Sequence, residues 1–125
     1  MPGQSANPNA TVHFYRRALL AGATKPSVYC DGQDMAHVQS GRILTVEIPA
    51  GNHYFSADPK HGGFQLDTES GHEYFLRLDY TPNTSNIWRL YSVLSNVSEE
   101  RGRIETANLK PLDAKWIGSP NCGAA

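Results

Sequence analysis

Two cysteines and five histidines are the residues of this chain best suited to bind a metal or to form a covalent bond. Cys30 directly precedes the turn pair Asp31-Gly32, and Cys122 lies close to the C-terminus. A disulfide between them would close a loop of about 90 residues and stabilise the fold by about 4 to 5 kcal/mol. The alternative is one buried and one exposed thiol, because sequence does not show whether the two Cα atoms come within bonding reach.

The histidines show none of the spacings that mark a zinc site. No His-x-x-x-His or Cys-x-x-Cys pair occurs, so we predict no metal and no other cofactor. The one specific set that is a candidate for zinc is Asp58, His61 and His72, which would meet if the loop that follows Ala57 folds over the corner at Gly71. The five histidines are His13, His37, His53, His61 and His72.

The sequence also lacks the motifs of common catalytic centres. No Gly-x-Ser-x-Gly nucleophile elbow is present, and neither cysteine has a histidine near it in sequence. The pair Gly62-Gly63 is not followed by the start of a helix, so it does not form a phosphate-binding loop. We therefore predict no catalytic residue and favour a non-catalytic protein over a small metal-dependent or hydrolytic enzyme.

Aromatic residues offer a second kind of surface chemistry, because aromatic rings stack on sugars and anchor partner proteins. Most of the aromatic residues are expected in the core of a small protein. Tyr15, Phe75 and Trp88 instead fall on the less apolar faces of their predicted strands. They are the candidates for an exposed binding surface.

Composition excludes two classes of partner. The chain has 125 residues with 11 basic and 12 acidic side chains, and no basic run supplies the phosphate attraction that a nucleic-acid-binding protein needs. Its apolar stretches are much shorter than the roughly 20 residues of a membrane helix. Charged residues make up only 18%, and turn-forming residues are frequent, which favours a turn-rich β protein.

Alternation of apolar and polar residues recurs along most of the chain and predicts seven to eight short strands. The clearest strand covers residues 42–48, where Leu44, Val46 and Ile48 share one face. A single helix is expected over about residues 98–108, with its apolar face formed by Ile104 and Ala107.

These elements predict a mainly β fold, an antiparallel β-sandwich of the immunoglobulin or transthyretin kind with one short C-terminal helix. We expect a single domain over residues 11–113. A disordered leader (1–10) would precede it, and an unstructured C-terminal tail (114–125) would follow it.

Several stretches together resemble a known family. They are Val28-Tyr-Cys-Asp-Gly32, then Gly41, then the segments 46–53 and 71–77. The chain from about Thr11 to Leu112 resembles the bacterial family known as domain of unknown function 2846, which is related in style to PEGA-type and carboxypeptidase-regulatory-like sandwich modules. The resemblance predicts a fold but does not predict an activity.

The resemblance implies an exported or lipoprotein-type protein of the bacterial envelope, in the periplasm, on the outer membrane or outside the cell. Residues 1–10 show no export signal, which is the pattern of a cytoplasmic protein or of a chain whose signal and lipid anchor have been removed. We favour the second interpretation.

Three functions remain in competition. The leading hypothesis is an envelope module that binds a protein partner or self-associates through strand edges and through its terminal tails, residues 1–10 and 115–125. The second is a carbohydrate-binding module that uses the exposed aromatic residues. The third is a small metal-dependent or hydrolytic enzyme with a convergent histidine cluster.

Overall fold

Two β-sheets form the body of the protein in the computed structural model. The structure describes residues 8–18, 26–57, 63–83, 86–118 and 122, but not the side chains of residues 80–91. The first sheet has five strands in the order β8-β7-β1-β4-β9, and the second has four in the order β3-β2-β5-β6. The strands are β1 (Asn9–Tyr15), β2 (Ser27–Cys30), β3 (Gln33–His37), β4 (Arg42–Pro49), β5 (Gly51–Ser56), β6 (Gly63–Thr68), β7 (Glu73–Asn83), β8 (Asn86–Val97) and β9 (Lys110–Pro111).

The expected fold class is confirmed: the protein is mainly β, with two largely antiparallel sheets consistent with a sandwich and one short helix. Two pairings are parallel, because β1 lies beside β7 and β4 lies beside β9 in the same direction. The described part of the chain contains one strand more than the sequence predicted, the two-residue β9. None of the described helices is long and apolar enough to cross a membrane.

The core lies between the two sheets and takes residues from β1 to β8, whereas both residues of β9 are exposed. On β4, Leu44 and Ile48 are buried while Thr45 and Glu47 are exposed, as the alternation predicted. Phe14 of the first sheet packs against Phe55 of the second, with ring centroids 5.9 Å apart. This packing holds the strands in the register that positions the polar residues described below.

The hairpin at Asp31-Gly32 joins β2 to β3 as the sequence predicted. Both residues have positive φ, 52° and 82°, which is the requirement of a two-residue type I′ turn. Asp31 is the only described residue other than glycine with a positive φ. Its backbone N–H also donates to the Tyr54 carbonyl at 2.7 Å, so the turn is joined to β5.

Helix α1 (Glu99–Thr106) lies within the expected range and begins at Ser98, whose side chain accepts a hydrogen bond from the Arg101 backbone N–H. Its expected apolar face was wrong, because Ile104 is 71% exposed. The buried position is Gly102, where a Cβ would overlap the Phe75 ring. The helix therefore packs closely on β7 through its smallest residue.

The chain ends are more ordered than predicted where the structure describes them. β1 begins at Asn9, inside the expected leader. In the C-terminal tail, residues Ala114–Trp116 form a 3₁₀ turn and Ile117 pairs with Ala36 of β3. The Gly118 N–H donates to the Met35 carbonyl at 2.8 Å. This part of the tail therefore packs along the edge of β3.

Candidate functional site

A network of charged residues lies between helix α1 and the outer face of the first sheet. Tyr15 of β1 donates to Glu105 of the helix at 2.5 Å. Arg77 of β7 donates to both oxygens of Glu105 at 3.0 Å and to Asp79 at 2.8 Å. Asp79 also accepts from Arg17 at 3.0 Å. Parallel pairing of β1 with β7 places Tyr15 beside Arg77, so the sheet itself positions both for the helix.

This environment shifts the pKa of the groups involved. Burial raises the pKa of Tyr15, and its hydrogen bond to Glu105 raises it further. Burial also acts to raise the pKa of Glu105, but the hydrogen bonds from Tyr15 and Arg77 hold that pKa below its usual range. Tyr15 thus remains protonated and Glu105 ionised, which is the combination that a donor and a carboxylate acceptor require.

A second chain of polar contacts extends this network toward the start of the helix. His13 lies 2.7 Å from both Thr45 and Glu73 through its two ring nitrogens, and its ring stacks on Phe75 with centroids 4.5 Å apart. Arg103 donates to Glu73 at 2.6 Å. The hydrogen bond from His13, followed by that from Arg103, lowers the pKa of Glu73. We call the residues of these contacts the helix-side cluster: His13, Tyr15, Arg17, Glu73, Arg77, Asp79, Arg103 and Glu105. Each carboxylate of this cluster faces an arginine or a histidine, so the primary effect of the cluster is to hold the helix on the sheet.

The second candidate site lies in the other sheet, where the β2–β3 turn meets β5 and the C-terminal tail. Cys30, the last residue of β2, forms a disulfide with Cys122, and their Cα atoms are 5.4 Å apart. Both cysteines are buried. Of the two alternatives that the sequence left open, the structure has the disulfide, and the described residues contain no free cysteine.

Two further side chains meet the disulfide, and together the four residues form what we call the cysteine-side cluster: Cys30, Asp31, His53 and Cys122. Ligand atoms of all four lie within 4.8 Å of one another. His53 Nδ1 is 2.7 Å from Asp31 Oδ2 and 3.7 Å from Cys122 Sγ. Asp31 Oδ2 is 3.9 Å from Cys30 Sγ and 3.8 Å from Cys122 Sγ.

The backbone holds the two polar members of this cluster in place. His53 Nε2 lies 2.6 Å from the Pro49 carbonyl oxygen, which only accepts, so Nε2 carries a hydrogen and Nδ1 faces the cluster. Asp31 Oδ1 accepts from the Tyr54 backbone N–H at 2.9 Å, which turns Oδ2 toward His53. His53 is buried, whereas the Asp31 side chain is 32% exposed and connects the cluster to solvent.

The structure corrects the predicted aromatic surface. Tyr15 and Phe75 are buried, not exposed, because helix α1 covers the sheet face on which they lie. Strand alternation indicated correctly that they face away from the sandwich core, but it carries no information about a helix that returns to cover that face. The side chain of Trp88 lies outside the described residues. The carbohydrate-binding hypothesis therefore loses two of its three residues.

The predicted metal set is only partly described. Asp58 and His61 lie outside the described residues, and the His72 side chain is 61% exposed, 3.8 Å from Glu69. The structure instead brings His53 together with Asp31 and the cysteines, a grouping that sequence reasoning missed. The adjacent pair Cys30-Asp31 at a turn was the available signal, but His53 and Cys122 are separated from it by 22 and 91 positions.

Comparison with known proteins yields a family without an assigned activity. A family model described as Protein of unknown function (DUF2846) matches residues 6–88 of the chain. That segment contains Cys30, Asp31 and His53, whereas helix α1 and Cys122 follow it. No curated protein and no solved structure is significantly similar to the chain.

Proposed function

The chain belongs to the DUF2846 family of proteins of unknown function, and we propose that it acts as a non-catalytic module of the bacterial envelope that assembles through a strand edge. The observation that carries this proposal is the outer edge of β8. This strand has twelve residues and ends the five-stranded sheet. Its outer edge pairs with no strand among the described residues, so its backbone groups are available to another chain.

The other sheet edges are protected to different degrees. The tail covers β3 through Ile117 and Gly118. β9 has only two residues, and one of them, Pro111, has no N–H to donate. β6 is half the length of β8 and has an exposed aspartate, Asp67. Proteins commonly protect edges by such means, and β8, with one charged residue among twelve, is the longest of these edges.

The composition of β8 supports pairing with a second copy of the same chain. Arg89 is its only charged residue, and the whole chain has a formal net charge of -1, so two copies repel each other weakly. Antiparallel pairing of β8 with its copy about a two-fold axis would join the two five-stranded sheets into one continuous sheet, along a shared edge of about 40 Å. This is recognition by main-chain hydrogen bonds, which needs no pocket.

The disulfide supports a location outside the cytoplasm. Disulfides persist in oxidising compartments such as the bacterial periplasm and are rare where thioredoxin and glutathione keep thiols reduced. Cys30 and Cys122 are joined in the structure, which fits an exported protein. Thiol trapping in fractionated cells would test this part: the oxidised chain is expected in the envelope fraction, and a reduced cytoplasmic chain would contradict it.

Size-exclusion chromatography with light scattering tests the assembly. We expect a dimer at high micromolar concentration, and Ser92→Lys, near the middle of β8, should weaken the dimer at least about tenfold because like charges meet beside the axis. Gln65→Lys, an exposed position on the β6 edge, is the matched control and should leave the dimer intact. Circular dichroism verifies that both variants fold.

Two results would count against the proposal. A chain that stays monomeric at all concentrations would exclude self-association. A dimer that Gln65→Lys disrupts and Ser92→Lys does not would move the interface from β8 to β6.

A further inference from the structure

The cysteine-side cluster contains two residues, His53 and Asp31, that the disulfide does not require. Cys30 and Cys122 need only each other to form the bond, yet His53 and Asp31 also converge on them. Two sulfurs, one imidazole nitrogen and one carboxylate oxygen are ligand types that zinc accepts in proteins. We propose that this cluster is a zinc site in the reduced protein, with Cys30 Sγ, Cys122 Sγ, His53 Nδ1 and Asp31 Oδ2 as its four ligands.

The distances between the ligand atoms support four-coordinate geometry. Tetrahedral zinc with Zn–S bonds of about 2.3 Å and Zn–N or Zn–O bonds of about 2.0 Å has ligand-to-ligand separations of about 3.3 to 3.8 Å. Cys122 Sγ is 3.7 Å from His53 Nδ1 and 3.8 Å from Asp31 Oδ2, and Cys30 Sγ is 3.9 Å from Asp31 Oδ2. Three of the six separations are therefore close to tetrahedral values already. The two sulfurs must move apart once their bond is broken, and Nδ1 must move slightly from Oδ2.

The orientation of His53 supports a metal more directly. Its Nε2 donates to the Pro49 carbonyl, so the neutral ring would direct the Nδ1 lone pair at the Asp31 carboxylate, 2.7 Å away. Two acceptors at that distance need a proton or a metal cation between them. Histidines that bind metals commonly donate their other ring N–H to a backbone carbonyl, which fixes the ring as it is fixed here.

The same arrangement argues against a cysteine-nucleophile triad. In such a triad the histidine uses one nitrogen for the nucleophile and the other for the carboxylate. Here both Cys122 and Asp31 face the same atom, Nδ1, while Nε2 is engaged by the backbone. Convergence of several ligands on one point is the geometry of metal binding.

The chemistry balances with a dithiol as the reductant. A thiol of the dithiol attacks the Cys30–Cys122 bond, and after the second exchange the dithiol has become a disulfide while the two cysteines have become thiols. Zn²⁺ then replaces the two thiol protons, which are released to solvent as two S–Zn bonds form. The metal also offsets the negative charge of two thiolates and a carboxylate. The tail thus stays attached to β2 in both forms, by a covalent bond or through the metal.

Zinc binding by the oxidised and the reduced full-length chain tests the proposal without any mutation. Reduction with a water-soluble phosphine, which does not chelate zinc as a dithiol would, followed by competition with a chromophoric chelator gives stoichiometry and affinity. We expect one zinc per reduced chain and at least about tenfold weaker binding by the oxidised chain. A reduced chain that binds no zinc at micromolar concentration, or an oxidised chain that binds equally well, would overturn the proposal.

Conservative variants test the ligand assignment. Asp31→Asn suits the positive φ at this position, and His53→Gln keeps a polar side chain. Each should weaken zinc binding by the reduced chain at least about tenfold. His72→Gln is the matched control, because His72 also lies near a carboxylate but on the surface, and it should bind as the wild type does. Wild-type affinity in both cluster variants would overturn the assignment.

Cobalt supplies a readout that remains valid if reduction loosens the fold. Co²⁺ in the reduced wild type should show a thiolate charge-transfer band and the intense visible bands of tetrahedral coordination, and His53→Gln should alter both. If reduction unfolds the chain, one equivalent of zinc should restore its circular dichroism spectrum, as in other proteins that fold around zinc. Cobalt spectra without thiolate bands, or an unfolded chain that zinc does not restore, would contradict the proposal.

Discussion

The helix-side cluster and the cysteine-side cluster lie on different sheets and surround their polar groups with different partners. Beneath helix α1, each carboxylate faces an arginine, a histidine or a tyrosine, so the protein itself balances the charges. In the cysteine-side cluster, Asp31 also faces a histidine, His53, at 2.7 Å, but the same two atoms lie within 4 Å of a cysteine sulfur, and none of the four members is an arginine or a lysine. Satisfied charges indicate a structural attachment, whereas convergent ligands indicate a site for a cation.

The largest expected effect is loss of the disulfide. Cys122→Ser removes a cross-link between residues 92 positions apart, which should lower the free energy of unfolding by about 4 to 5 kcal/mol on chain-entropy grounds. Urea denaturation of the variant and of the chemically reduced wild type should give the same loss. If zinc restores stability to the reduced wild type and equally to the variant, the contrast between the two clusters would disappear.

The next largest effect should come from breaking the buried pair beneath the helix. Arg77→Met leaves Glu105, whose side chain is only 12% exposed, without its principal partner, at an expected cost of about 2 to 4 kcal/mol. The double variant Arg77→Met/Glu105→Leu should recover much of that loss. Arg101→Met is the control, because Arg101 contacts the same carboxylate from the surface at 3.6 Å and should change stability by less than about 0.5 kcal/mol.

Close contact between helix and sheet gives a third test. Gly102→Ala improves helix propensity by about 1 kcal/mol, yet the added Cβ overlaps the Phe75 ring. We expect a net destabilisation of about 1 to 2 kcal/mol, measured as a fall in the thermal midpoint. In a Phe75→Leu background the same change should cost less. Equal stability of Gly102→Ala and wild type would mean that the helix shifts freely on the sheet.

The smallest effects should appear in the pH dependence of stability. The lowered pKa values of Glu73 and Glu105 mean that their stabilisation is complete above the ordinary glutamate value of 4.5 and is lost as the pH falls below it. The raised pKa of Tyr15 predicts the opposite dependence, with stability lost as the pH rises above 10.0. Urea titrations across both ranges measure these slopes. Glu105→Gln should reduce the acid slope, and an unchanged slope would contradict the assignment.

Local patterns in the sequence predicted the sandwich but not its polar clusters. Two features could be predicted from neighbouring residues alone, and the structure confirms both: the strand over residues 42–48 and the turn at Asp31-Gly32. From the sequence alone, Gly102 is a residue of low helix propensity inside a helix. Only the position of the Phe75 ring shows why a side chain does not fit there. Ile104 was expected to be buried on the rule that helices bury apolar residues, but the helix instead turns Gly102 and Glu105 toward the sheet and leaves Ile104 exposed. His53 and Cys122 meet Asp31 only through the tertiary fold.

The link between Cys30 and Cys122 also determines how the molecule bears a mechanical load. When the chain is pulled at its two ends, the force passes from the N-terminal segment to Cys30 and directly to Cys122. The segment between them, residues 31–121, corresponds to about 300 Å of extended chain and is shielded from that force while the bond is intact. Helix α1 and the strands from β3 onward lie in this shielded segment, so an oxidised molecule under tension yields first at β1 and β2.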